Sequence, residues 1–292
     1  MRNALVATLV VLSSLVVAAA ALGTPSRTAK LPAGCDKASL DTVDDGKLTV
    51  GTDNPAYPPW FGGGEVKGSK WKINDPSTAK GFESAVAYAV AKQLGFGRSD
   101  VEWTYVPFNK SFAPGKKGFD FDINQISFTP VRAKVVDFSN SYYDVNQALV
   151  VLKGTPIAKV RSAAGLNRYK LGAQLGTTSY SYITDRIKPS ESPAVYDDNA
   201  AALQQLKNKQ IDGLVVDLPT ACFVTAVQIP NGTILGQFPT PPGGEHFGMV
   251  LPKGSSLTRC VNAALGMLKA NGSLKRIQQQ WLAKATGAPV LK

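Results

Sequence analysis

The chain has 292 residues, with 32 Lys and Arg against 21 Asp and Glu, a formal net charge of +11, and 44% hydrophobic residues. That length and apolar share support a packed core in one or two domains and exclude global disorder. Its 27 glycines and 19 prolines follow no period, three cysteines are too few for a disulfide scaffold, and a single histidine, His246, excludes His-rich zinc and two-histidine iron sites.

Arg2 is followed by an almost wholly apolar run over 4–23 that ends in small residues. This predicts a secretory signal peptide over 1–23; a retained membrane anchor is the rival, since such a run can also just span a bilayer. Cys35 lies beyond Arg27 and Lys30, with Pro32 three positions before it, which argues against lipid attachment. Residues 24–35 are polar and Pro/Gly-punctuated, an N-terminal arm. The basic residues are scattered, with no stripe or run, so the charge predicts a solvated surface and no nucleic-acid partner.

KLTVGTD (47–53) is a short strand ending in Asp53, and NPAYPPWFGGG (54–64) is a loop presenting Tyr57, Trp60 and Phe61. Phe82, Val86, Val90 and Leu94 recur every four residues after Gly81, predicting a helix that Gly95 stops. Strands are expected at 101–108 and 120–129, and a short helix at 130–136 with Pro130 in its first turn. Further strands fall at 147–154 and 170–176, the second followed by a helix start in TTSYSYI. A helix at 199–210, a strand at 211–217 ending in Asp217, and a helix over 218–228 follow. Residues 246–254 form a strand and turn, and 255–272 and 273–285 are two amphipathic helices. Strands separated by helices predict an α/β protein with mostly parallel sheets.

Asp53 and Asp217 both end predicted strands, where open α/β sheets bind ligands; the plainer role for each is a turn or helix cap. LGTTS (175–179) makes a strand-to-helix turn that can hold an anion or simply cap the helix through Thr177 or Thr178. No phosphate-binding GxxxxGK[ST] motif is present.

ISFTPVRAKVVDFSNSYYDVNQALVVLKG (126–154) resembles the signature region of the bacterial family 3 extracellular solute-binding proteins, the amino-acid receptors of ABC importers. GFESAVAYAVAKQLGF, LGAQLGTTS, LKNKQIDGLVVDLPTA and FGMVLPKGSSLTRCVNAALGMLKANGSLKRIQQQWL resemble further blocks of that family, in order, over about 47–284. The resemblance implies a type II periplasmic-binding-protein fold of two α/β lobes joined by two strand crossings. Lobe 1 is expected at 36–144 and 247–292, lobe 2 at 147–243, with crossings near Tyr143–Asn146 and Glu245–His246. It implies a secreted receptor, in the periplasm or at the cell surface, that closes on one small molecule without any cofactor. Its partners are then a membrane permease with its ATPase, and the receptor itself is a monomer.

Carried over position by position, the resemblance assigns the ligand carboxylate to Arg132, Ser127, Thr129, Thr177 and Thr178. A guanidinium offers a rigid two-donor fork to a planar carboxylate. Asp217 and Asp53 are assigned to the ammonium, and Tyr57 and Phe108 to the two faces of the ligand's body, with Trp60 shaping the loop. Asn124, Gln125 and Gln174 depart from the family's usual residues and are candidates for the ligand side chain. Asp53, Asp122 and Glu245 are the candidate extra carboxylates for a basic ligand; an uncharged or polar amino acid is the preferred expectation. A Cys35–Cys260 disulfide would lie within lobe 1 once the C-terminal helices return there, leaving Cys222 as a reduced, buried residue. The rival functions are a secreted enzyme of cyclohexadienyl-dehydratase type on the same fold, and a ligand-sensing module.

Overall fold

The computed structural model describes residues 30–239, 243–282 and 288–291. The expected signal peptide, the first half of the arm (24–29) and the end of the last helix at 283–285 lie outside the described residues. All that follows falls within the unit Leu31–Lys292.

Two five-stranded sheets organise the chain. The first contains β1 (Leu48–Thr52), β2 (Val101–Tyr105), β3 (Phe121–Asp122), β4 (Asp137–Phe138) and β12 (Val250–Leu251), in the order β2-β1-β3-β12-β4. The second contains β6 (Gln147–Leu152), β7 (Leu171–Gln174), β8 (Ala194–Tyr196), β9 (Gly213–Asp217) and β10 (Gly232–Gln237), in the order β10-β6-β9-β7-β8. Between them run β5 (Tyr143–Val145) and β11 (Glu245–Phe247), paired antiparallel with Glu245 opposite Val145. The chain thus leaves the first sheet along β5 and returns along β11, and these two strands bridge the lobes. Both sheets are mixed: β1 is parallel to β2 and β3, and β7 to β8 and β9, whereas β12 and β6 run antiparallel to their neighbours. The two chain crossings account for this, because each inserts a reversed strand into a parallel set.

α1 (Phe82–Gln93) buries the apolar stripe Phe82, Val86 and Val90 against the first sheet, and α6 (Leu257–Ala270) and α7 (Ser273–Leu282) pack beside it. Gly81 opens α1 at φ +91, and a Cβ there would strike the backbone of Phe61, so the aromatic loop and the helix start are locked together. In the second lobe, α4 (Asn199–Lys207) and α5 (Leu218–Phe223) cover one face of the sheet through Leu203, Leu206 and Ala221. Ile157, Leu166 and Ile183 fill the other face. The remaining short helices are α2 (Phe108–Ser111) and α3 (Thr178–Tyr182).

Several expectations need adjusting. The strand expected over 120–129 is ordered as β3 for two residues only, because Gln125 takes φ +49 and turns the chain away from the sheet. The helix expected over 218–228 changes pitch after Phe223 and finishes as a π-helical turn. The C-terminal tail, expected in lobe 1, lies against the second sheet: Val290 bridges Gln237, and Leu291 is buried in that lobe's core.

The expected disulfide is present. Cys35 and Cys260 are joined with Cα atoms 5.2 Å apart, pinning the arm to α6. Cys222 is free and half-buried rather than fully buried, set where the cores of the two lobes meet.

A cleft between two sheets

Strand ends of both sheets converge on one cavity enclosing about 590 Å³, its mouth included. The first lobe contributes Asp53, Tyr57, Phe108, Asn124, Gln125, Ser127 and Arg132 to its wall. Gln174, Thr177, Thr178 and Asp217 face it from the second lobe. Eleven of the residues assigned from the sequence are therefore brought together on one wall.

Arg132 sits at 8% exposure in the turn that follows Ser127. Its Nη1–H donates to the Ser127 carbonyl at 2.6 Å and its Nη2–H to the Gly176 carbonyl at 2.8 Å, so one guanidinium spans both lobes. Phe112 lies 4.1 Å from the guanidinium carbon and Phe108 5.7 Å, which holds its plane. Burial lowers its pKa to about 10, partly offset by the charge of Glu245.

Asp217 closes β9 and caps α5, accepting from the Thr220 N–H at 2.9 Å and the Thr220 hydroxyl at 2.8 Å. It is both the helix cap and a cavity residue. Burial raises its pKa to about 6. Asp53 accepts from the Asn54 N–H at 2.7 Å, and burial raises it too. Neither carboxylate has a cation within salt-bridge distance among the described residues. The Asn124 amide nitrogen and the Tyr57 hydroxyl are buried on the cavity wall without a hydrogen-bond partner. Unpaired buried polar atoms are costly, and those on a cavity wall are places for a ligand's polar groups.

Two assigned residues lie off the wall. Trp60 is fully buried in the first lobe's core, edge-on to Phe82, Tyr143 and Phe247. Its indole N–H donates to the Thr220 hydroxyl at 2.9 Å, and that hydroxyl in turn donates to Asp217, so Trp60 acts on the cavity through two bonds. Thr129 accepts from the Arg132 N–H at 3.1 Å and fixes the turn that aims the guanidinium. Thr177 lines the cavity, but its hydroxyl caps α3 by accepting from the Tyr180 N–H at 3.1 Å.

Gln125, whose positive φ sets its direction, is held from behind by Glu83: its N–H donates to Glu83 at 2.7 Å and its side-chain amide donates to the other oxygen. Tyr142 donates to the same carboxylate. Glu83 is wholly buried, and desolvation raises its pKa to about 7.

The cavity also holds residues that pattern alone did not single out. Gln147, Ser179, Asn199, Val216 and Phe247 line it. Ser179 donates to the Gln147 side-chain oxygen at 2.6 Å. Each sits at, or within two positions of, the end of a predicted strand or the start of a predicted helix, which is the only signal the sequence carries for them. Asp122, a candidate extra carboxylate, is buried behind the wall and accepts from Ser111 at 3.1 Å; burial raises its pKa well above the usual range.

Two lobes, two bridging strands and a polar cleft between strand ends define a module that encloses a small molecule. The chain belongs to the bacterial extracellular solute-binding proteins, family 3, whose family model matches residues 48–284. Similar proteins include the glutamine-binding protein GlnH of a Bacillus subtilis (strain 168) ABC transporter, 28% identical over 216 residues, 72% of this chain and 76% of that one. The ABC transporter arginine-binding protein 1 of Escherichia coli (strain K12) is 28% identical over 208 residues, 69% of this chain and 81% of that one. Among solved structures, an ancestral arginine-binding protein bound to arginine superposes with a TM-score of 0.66 at 29% identity, covering 80% of this chain and 97% of that one. No helix among the described residues is long and apolar enough to cross a membrane.

Proposed function

We propose that this chain is the extracytoplasmic receptor of an amino-acid ABC importer, closing its two lobes on one L-α-amino acid and presenting the closed form to a membrane permease and its ATPase. The observation that carries this is a buried guanidinium and a half-buried, cation-free carboxylate on the wall of one cavity between two lobes. Arg132 takes the α-carboxylate, with Ser127 and Thr178 beside it, and Asp217 takes the α-ammonium. Tyr57 and Phe108 flank the body of the ligand.

The wall holds more negative than positive charge. With the zwitterion's two charges matched to Arg132 and Asp217, Asp53 is left half-buried and without a cation, which favours a ligand with a further cationic group. This shifts the expected ligand from an uncharged polar amino acid towards an arginine-like one. The similar proteins include both arginine-binding and glutamine-binding ones, so the charge of the wall carries this choice.

The receptor works as a secreted monomer and needs no cofactor. It binds rather than transforms, as the similar binding proteins do, and its one imidazole, His246, is stacked on Phe128 at 5.4 Å outside the cavity wall. The test is a thermal-shift screen of unfolded-and-refolded protein against the standard amino acids and ornithine, with a parallel incubation with prephenate and arogenate. A binder at 1,000 times its Kd stabilises by about 4 kcal/mol. Stabilisation by arginine, lysine or ornithine but not glutamate is expected. If no amino acid moved the transition, while prephenate or arogenate was consumed, the enzyme rival would stand instead.

A further inference from the structure

Glu245 opens the strand by which the chain returns to the first lobe. One of its carboxylate oxygens accepts three hydrogen bonds: from the Ser127 hydroxyl at 2.7 Å, the Thr178 hydroxyl at 2.6 Å and the Gln147 side-chain amide at 3.1 Å. The Ser127 and Thr178 hydroxyls are themselves only 3.2 Å apart. All three donors line the cavity, one from the first lobe and two from the second. Its charge also favours the cationic form of Arg132. Hydroxyl and amide donors converging on one oxygen make a seat for a carboxylate, and a charge-assisted acceptor is the strongest occupant such donors can find. The seat therefore already holds a carboxylate of the protein's own.

We propose that Glu245 is an internal competitor for the carboxylate end of the cleft, a specificity-determining residue that an incoming α-carboxylate must displace. Two carboxylates cannot share these hydroxyls, because like charges at hydrogen-bonding distance from one donor pair repel. Glu245 thus lowers the apparent affinity by the population of the seated state. It also selects for ligands whose carboxylate engages Arg132 strongly enough to evict it, and it bonds to donors from both lobes. The proposal rests on the receptor function above.

Calorimetric titration of refolded wild type, Glu245→Gln and Glu245→Ala with the amino acids found by the screen, or with all standard amino acids if wild type shows none, decides the matter. Removing the competitor is expected to tighten binding roughly tenfold or more for E245A. E245Q, whose neutral amide is a weaker occupant of the seat, should fall between E245A and wild type. If E245A does not fold, a tighter E245Q alone carries the result. Equal or weaker binding in the folded variants, with wild type binding normally, would make Glu245 a scaffold for the lobe junction and overturn the proposal while leaving the receptor function intact. Silence from all three proteins would overturn the receptor function and this proposal with it.

Discussion

Replacing Arg132 by alanine should separate binding from stability. The guanidinium donates to two backbone carbonyls, at 2.6 and 2.8 Å. Hydrogen bonds to charged groups contribute about 1.5–3 kcal/mol each. Against this, burial disfavours the charged form, lowering the pKa from 12.5 to about 10, a cost of about 3 kcal/mol. The two effects largely offset. The folded protein should lose only about 0–3 kcal/mol, a fall in Tm of no more than about 10 °C. Binding should suffer far more, because the ligand carboxylate loses its only guanidinium on the described wall. Truncating a desolvated charge partner costs about 2–5 kcal/mol, roughly 30-fold to several thousandfold in Kd. Calorimetry and thermal unfolding of R132A, run side by side, measure both. Affinity near that of wild type would refute the assignment of the carboxylate end, and so would a binding loss accounted for by unfolding.

Asp217→Asn should weaken an α-amino acid more than tenfold and its deaminated twin much less; equal losses in a titration of both would reduce Asp217 to a helix cap. Because burial raises Asp217 to about 6, affinity should also fall as pH drops below about 6, where the carboxylate gains a proton and no longer pairs with an ammonium; affinity rising with acidity would contradict this. Glu83 is raised to about 7 from 4.5, so its contribution to stability is fully present below pH 4.5 and is lost as pH rises through 7. Tm should therefore fall between about pH 4.5 and 7, and Glu83→Gln should flatten that fall; a slope unchanged in E83Q would exclude Glu83 as its source. Removing the disulfide as C35A/C260A opens a 225-residue separation, which the chain-entropy model values at about 5 kcal/mol as an upper figure; unfolding by urea checks it, and an unchanged midpoint would show that the arm is held by packing alone.

The order of strands and helices was legible because hydrophobic period reports burial directly. Phe82, Val86 and Val90 could be read as one buried stripe, and their helix runs where that stripe predicts. What the pattern could not reveal is where backbone direction changes inside an apolar run. Gln125 sits within a stretch that reads as strand, yet its positive φ and its hold on Glu83, forty-two positions away, turn it into the cavity. The same limit applies to Trp60. A loop aromatic beside a site is expected to shape the loop, but its indole N–H finds Thr220 across the lobe boundary, and the ring goes to the core. That Arg132 and Asp217 line the cavity was legible because a family motif and a strand end marked them. Glu245 was visible only as a spare carboxylate near a crossing; its role emerges once β5 and β11 pair and bring Ser127, Gln147 and Thr178 around it.

The central claim is that the cleft reads both ends of one α-amino acid at once. Titration of the refolded receptor with L-arginine, with agmatine, which lacks the carboxylate, and with the deaminated 2-oxo analogue tests it most directly. Saturable binding of arginine, with each truncated analogue weaker by at least tenfold, is the predicted result. Agmatine binding as tightly as arginine, or heat from none of the three alongside binding of an unrelated solute, would contradict the account.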